Sequence, residues 1–294
     1  MPQYSNSVTY STIAADTRTI LQNNARDKLI AAGWTVVSGG GTIDTILQSA
    51  STPNGNFIQV RVVDPGSGSC CRFYIRNAIG TRVSSEYDLL PDAGKTYSIV
   101  ATKYHCFLFV PGSCAAREFL CFGTLWCPSF LNGVVVNELG FIHSNAHSDG
   151  DTATALSWRT VLYAGWGEGA NTRTTGLCNN TLCDYSLQGI RGSHMQFVIS
   201  SPVQTDYRNS AYRWADDTLL ICEPLVSWGD DQNTDGKIRG QLFDALLVTA
   251  AFAYDTQINV DGHTWLAITG NNVGTVGGSW VPNAAKGTLF VAIT

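Results

Sequence analysis

Tyr97-Ser98-Ile99-Val100-Ala101-Thr102-Lys103-Tyr104-His105-Cys106-Phe107-Leu108-Phe109-Val110-Pro111-Gly112 is the stretch that decides the fold class. Two runs rich in β-branched and aromatic residues, Tyr97–Ala101 and His105–Val110, are joined by a short bend and end at Pro-Gly. That pattern predicts a β-hairpin. The second run is almost wholly apolar, so both of its faces are expected to be buried.

Working outward, Arg117–Phe122 reads as the next strand. Upstream, Cys71–Arg76 is strand-like, and Phe57–Val63 is a β-branched run that stops at the Asp64-Pro65-Gly66 turn signal. Residues 11–33 carry Ile13, Ile20, Leu21, Ala25 and Leu29 near helical spacing and predict one long helix. Ser11 is its expected N-cap. Arg26 and Lys28 suit the negative end of the helix dipole, and Gly33 supplies a left-handed cap before a strand opening at Trp34–Val37. After the Ser38-Gly39-Gly40-Gly41 turn, Ile43, Ile46 and Leu47 suggest one or two further helical turns.

The second half predicts strands at Trp158–Tyr163, Met195–Ile199, Leu219–Pro224, Gln241–Thr249, Thr264–Thr269 and Gly287–Ile293. Two long loops, Gly165–Cys183 and Ser227–Gly236, separate some of them, and such loops are usually functional or in contact with something. The expectation is an α+β chain, mostly antiparallel β. Residues 1–135 would form a helix packed on an antiparallel meander, and residues 136–294 a loop-rich sandwich-like or barrel-like half. The boundary is soft, near Gly133–Asp149, and a single continuous domain is the alternative.

Only 14% of the 294 residues are Asp, Glu, Lys or Arg, against about 25% in an ordinary soluble domain. Either other subunits cover much of the surface, or Ser, Thr, Asn and Gly make it polar. A net charge of −5 without a Lys/Arg cluster argues against nucleic acid as a partner. The densest basic stretch, Arg72 to Arg76, is short and strand-like. The start, Met1 to Val8, has no signal-peptide pattern. No apolar run reaches the roughly 18 residues of a membrane span. Folding in a cytoplasm is the expectation. The nine cysteines then read mainly as small buried hydrophobes. Loop closure by Cys121 with Cys127, or Cys178 with Cys183, and a metal site are the alternatives; adjacent Cys70 and Cys71 do not readily pair.

Asp231-Gln232-Asn233-Thr234-Asp235-Gly236-Lys237-Ile238 matches the start of a calcium loop, with oxygen ligands from Asp231, Asn233 and Asp235. The twelfth position should be a bidentate acid and is Leu242, so an Asx-rich polar turn is the competing reading. His143, His147, Asp149 and Asp151 fall within nine residues, but the segment does not read as the helix that a His-x3-His zinc pair needs. His105 and Cys106 are neighbours in a strand and point to opposite faces, which excludes a catalytic pair between them. No phosphate loop, nucleophile elbow or dinucleotide fingerprint is present. Among eight Trp residues, Trp166 and Trp228 lie beside Gly in the long loops and are the candidates for an interface or for stacking on a sugar. Trp34, Trp126, Trp158, Trp214 and Trp265 read as core or interface.

Several short stretches together resemble a family. They are Ala31-Ala32-Gly33-Trp34-Thr35-Val36, Tyr104–Pro111, Ala116-Arg117-Glu118-Phe119 and Pro128-Ser129-Phe130-Leu131. Later come Tyr212-Arg213-Trp214, Glu223-Pro224-Leu225, Arg239-Gly240-Gln241-Leu242-Phe243-Asp244-Ala245 and Asp261-Gly262-His263-Thr264-Trp265. The chain resembles uncharacterised virion structural proteins of tailed bacteriophages and prophages, often encoded among tail genes. The resemblance spans most of the chain and rests on packing and turn motifs. It implies a particle component without enzymatic chemistry or cofactor, assembled in the host cytoplasm with copies of itself and other virion proteins.

The expected function is therefore a tail or baseplate subunit, with Gly165–Cys183, Ser227–Gly236 and the polar Met1–Tyr10 as contact elements. A receptor- or host-glycan-binding module of the tail is the alternative, as is a neck, collar or capsid-associated protein. A glycan hydrolase would need paired carboxylates about 5–10 Å apart, and Glu118, Glu138, Glu168 and Glu223 have no recognisable companion.

Overall fold

The structure is a computed structural model that describes residues 8–14, 17–41, 44–51, 57–63, 71–76, 87–89, 94–111, 119–124, 138–144, 163–164, 175–179, 194–198, 221–222, 225–229, 237–242, 244–248, 252–253, 255–268 and 288–294. Within them one helix accompanies antiparallel β-sheets. In chain order the elements are β1 (Val8–Ala14), α1 (Arg18–Ala31), β2 (Thr35–Ser38), β3 (Asp44–Gln48), β4 (Gln59–Val63), β5 (Cys71–Arg76) and β6 (Tyr87–Leu89). Next come β7 (Thr96–Thr102), β8 (His105–Phe109), β9 (Phe119–Thr124), β10 (Glu138–Ser144), β11 (Tyr163–Ala164), β12 (Thr175–Asn179) and β13 (His194–Val198). The last are β14 (Ile221–Cys222), β15 (Leu225–Gly229), β16 (Lys237–Gln241), β17 (Ala245–Val248), β18 (Gln257–Val260), β19 (His263–Ala267) and β20 (Thr288–Ala292).

Helix α1 begins where Thr17, in extended backbone, caps it: its hydroxyl accepts from the Ile20 amide at 3.2 Å. It ends in a Schellman turn. Gly33 takes φ +102°, the Trp34 amide donates to the Leu29 carbonyl at 3.0 Å, and the Gly33 amide donates to the Ile30 carbonyl at 2.9 Å. Leu21, Gln22, Ala25 and Leu29 form its buried stripe.

Sequential strands β2 to β6 form one five-stranded meander. The hairpin β7–β8 continues through β9 and β10, and β1 and β12 close the two sides in the order β1-β7-β8-β9-β10-β12. Strands β10 and β12 lie beyond residue 135, yet they complete this six-stranded sheet. The two sheets and α1 share one core, in which Leu21 and Leu29 meet Leu47, Val60, Phe73, Ile99, Leu108 and Phe122. Phe122 receives Trp34 edge-on, with ring centroids 5.8 Å apart, and faces Phe73 at 6.0 Å.

Strand β8 is buried along its whole length, as an apolar strand covered on both faces should be. The C-terminal sheet is ordered β14-β17-β20-β19-β18, and its core holds Leu246, Trp265, Ala267, Phe290 and Ala292. Val8 of β1 packs against that core. The β18–β19 hairpin turns at Asp261-Gly262, both with positive φ (53° and 81°), as a two-residue turn between right-twisted strands requires. A four-stranded sheet, β11-β13-β15-β16, completes the set.

Four expectations are corrected. The segment 11–14 is strand, not helix, and Ser11 caps nothing: Val8–Ala14 pairs with β7 from Val8↔Thr102 to Ala14↔Thr96. The polar N-terminal stretch thus packs on its own chain at Val8–Tyr10; residues 1–7 lie outside the described residues. Ile46 and Leu47 belong to β3, not to helical turns, because Asp-Thr-Ile-Leu-Gln alternates in burial as a strand does; Ile43 is not described. The run Gln241–Thr249 is broken at Asp244, whose φ of 54° ends β16 and starts β17. The two long loops are also partly regular, since Thr175–Asn179 is β12 and Ser227–Gly229 ends β15.

Candidate functional site

The most constrained polar constellation among the described residues surrounds His105, the first residue of β8. The β7–β8 bend that presents it is fixed from three directions. Thr102 Oγ1 accepts from the Tyr104 and His105 amides at 3.2 and 3.1 Å. The Trp34 indole donates to the Thr102 carbonyl at 2.8 Å. The Ala50 amide donates to the Lys103 carbonyl at 3.0 Å. Lys103 also sets its ammonium over the Tyr104 ring, 4.9 Å from the centroid.

Register places His105 opposite Gly123 of β9. A Cβ at position 123 would collide with the His105 ring and the Tyr104 carbonyl oxygen, so only glycine leaves room for the imidazole. In that slot His105 Nε2 lies 2.6 Å from the Thr124 carbonyl oxygen. A carbonyl only accepts, so Nε2 carries the proton. The other nitrogen, Nδ1, lies 4.0 Å from Asp244 Oδ2, and the two side chains are 0% and 1% exposed. Asp244 sits in left-handed backbone between β16 and β17, and its carbonyl accepts from Ala292 of β20 at 3.0 Å.

Burial pushes His105 down to about 3, opposed by the bond to the Thr124 carbonyl, so the ring is neutral near pH 7. Alternation along β8 sends the next side chain, Cys106, into the N-terminal core beside Leu108 and Phe122. Burial, and then the neighbouring Cys121, push the Cys106 thiol well up; burial does the same to Cys121. Both are free, buried thiols and act as small core hydrophobes, so Cys121 does not close a loop with Cys127 here. Neither supplies a thiolate, and a fully enclosed imidazole reaches no outside substrate.

Of the residues singled out from sequence, Trp228 lies inside β15 rather than in a loop, paired with Met195 of β13 and Lys237 of β16. Trp166 and the calcium candidates Asp231, Asn233 and Asp235 lie outside the described residues, as do His147, Asp149 and Asp151. His143 lies in β10, in register with Cys121, and Glu138 opens the same strand. Trp34 and Trp265 are core residues, 2% and 0% exposed. No group of His, Cys, Asp and Glu among the described residues is arranged to hold a metal ion. Among them, no helix is long and apolar enough to cross a membrane. Sequence reading missed Asp244, which lies 139 positions from its partner; a buried acid in left-handed backbone is visible only once the strands are placed.

Compared with protein-family models and with curated proteins, the chain matches none.

Proposed function

We propose that this chain is a structural, non-enzymatic subunit of a tailed-phage particle, in the tail or baseplate, which works by packing against copies of itself and other virion proteins. The phage assignment rests on the sequence resemblance. The observation that supports assembly is strand β2. It is the edge of a five-stranded sheet, all four of its residues are exposed, and Val36 and Val37 are 42% and 49% exposed. An edge strand carrying adjacent apolar side chains and no charge is a template for a further strand. The low charge of the whole chain, 14%, fits a surface covered in an assembly.

The test is oligomeric state. Multi-angle light scattering across a concentration series is expected to show association, as for obligate interfaces that bury about 2,000 Å² or more. Val37→Lys, a change at an exposed position, is expected to weaken that association without unfolding the chain. A sharply monomeric wild-type protein, or association indifferent to Val37→Lys and Val36→Lys, counts against assembly through this edge. Cell-wall or glycan hydrolysis by the purified protein would overturn the non-enzymatic reading.

A further inference from the structure

We propose that a second copy of this chain docks on β1 with its own β1, antiparallel across a two-fold axis at Ser11, so that two six-stranded sheets become one. The inference rests on the reading of the chain as an assembling subunit, and it assigns a different edge from β2.

The edge itself comes first. Strand β1 has seven residues and is the longest outer strand of the described sheets. Its pairing with β7 runs without a register shift from Val8 to Ala14. The outer strands β2, β12 and β16 each shift register against their neighbours, an irregularity that blunts an edge. Alternate residues of β1 direct N–H and C=O away from β7. Among the described residues, no strand pairs with that side.

The sequence of the strand selects the occupant. Val-Thr-Tyr-Ser-Thr-Ile-Ala contains no Asp, Glu, Lys or Arg. A copy therefore sets no like charges opposite one another, the usual device against such pairing. A two-fold axis perpendicular to the sheet keeps each face on its own side, so residues that meet must share a face. Centring the axis on Ser11 satisfies this and uses all seven residues: Val8 meets Ala14, Thr9 meets Ile13 and Tyr10 meets Thr12, each pair occurring twice. Tyr10 with Thr12 is an aromatic on a β-branched side chain, a favourable cross-strand pair. Within one chain both are exposed, Tyr10 at 38%. Seven residues span about 24 Å, a contact at the small end of specific interfaces, so dissociation in the micromolar range is expected.

Tyr10 and Thr12 can be changed without touching what anchors β1. Those contacts are on the other face, where Ile13 joins the N-terminal core and the Thr9 hydroxyl donates to the Lys28 carbonyl at 3.3 Å.

A charge swap in the full chain tests the register, in a Val37→Lys background that weakens the β2 edge. One variant carries Tyr10→Lys with Thr12→Lys, the other Tyr10→Glu with Thr12→Glu. Each alone places like charges opposite at two points and is expected to raise the dissociation constant about tenfold over the background. Mixed in equal amounts, the two bring opposite charges together at both points, and sedimentation velocity with one variant labelled should show association restored. Hydrogen exchange of the wild type supplies a readout that survives a misfolded variant: peptides within 8–14 should gain protection as concentration rises. A wild type that stays monomeric overturns the assembly reading and this contact together. Association that Val37→Lys weakens but the Tyr10 and Thr12 changes leave unaltered overturns this contact alone. So does a mixture of folded variants that stays apart, or an associating wild type whose exchange at 8–14 ignores concentration.

Discussion

Gly123 stands directly opposite His105 in the β8–β9 pair, and the imidazole fills the space that a side chain at 123 would need. A strand glycine normally weakens a sheet; here it is the condition for burying a polar ring between two sheets. Gly123→Ala is expected to destabilise the chain by about 2–3 kcal/mol, the cost of overpacking a closed core. Urea unfolding checks the value. Combining Gly123→Ala with His105→Ala should recover only part of the loss, since the Tyr104 carbonyl also stands in the way. Full recovery would mean the ring alone sets the constraint.

The helix start offers a discriminating pair. Thr17→Ala removes the hydroxyl that accepts from the Ile20 amide and is expected to cost about 1 kcal/mol. Ser11→Ala is expected to be neutral or slightly stabilising, because the Ser11 hydroxyl is buried in β1 without a hydrogen-bond partner. If thermal unfolding ranked the two the other way, the helix would begin at Ser11 after all.

Trp34 ties three elements: its indole donates to the Thr102 carbonyl and its ring meets Phe122 edge-on. Trp34→Phe keeps much of the apolar volume but strands a buried carbonyl. The expected loss is about 1–3 kcal/mol, with part of it appearing as faster exchange of the Tyr104 and His105 amides. A neutral substitution would show that the Thr102 carbonyl has another donor.

Cys106 and Cys121 should be chemically silent. Burial raises both, so neither Cys106 nor Cys121 forms a thiolate at neutral pH. Alkylation of these two is expected only on the timescale of unfolding, and to become fast in denaturant. Cys106 pairs with Phe122 and Cys121 with Phe107, so the two side chains leave opposite faces of the sheet. A 106–121 disulfide in non-reducing peptide maps would contradict the register.

Much of the sheet framework is written locally, and the errors have local causes. The hairpin runs 97–101 and 105–110 were legible because apolar content, bend and Pro-Gly stop agree. Gly33 was legible because a helix end needs positive φ at one position. The helix start was misplaced because Ile13 sits seven residues before Ile20, which satisfies a helical period even though Val8–Ala14 is rich in Thr, Tyr and β-branched residues. Ile46 and Leu47 failed in the same way: their spacing from Ile43, three and four, imitates a helix, while burial alternates along Asp44–Gln48. Asp244 was out of reach of any local pattern, since its partner comes from another sheet.

The pairing of β1 with β7 has a kinetic consequence. Val8 meets Thr102 and Ala14 meets Thr96, so β1, once made, waits for its β7 neighbour until roughly ninety further residues have been made. Meanwhile α1 and the β2–β6 meander, all built from nearer contacts, can form while β1 still waits for β7. Threading that segment onto the side of β7 is then a late event, and it completes the wall against which Leu21, Ala25 and Leu29 settle.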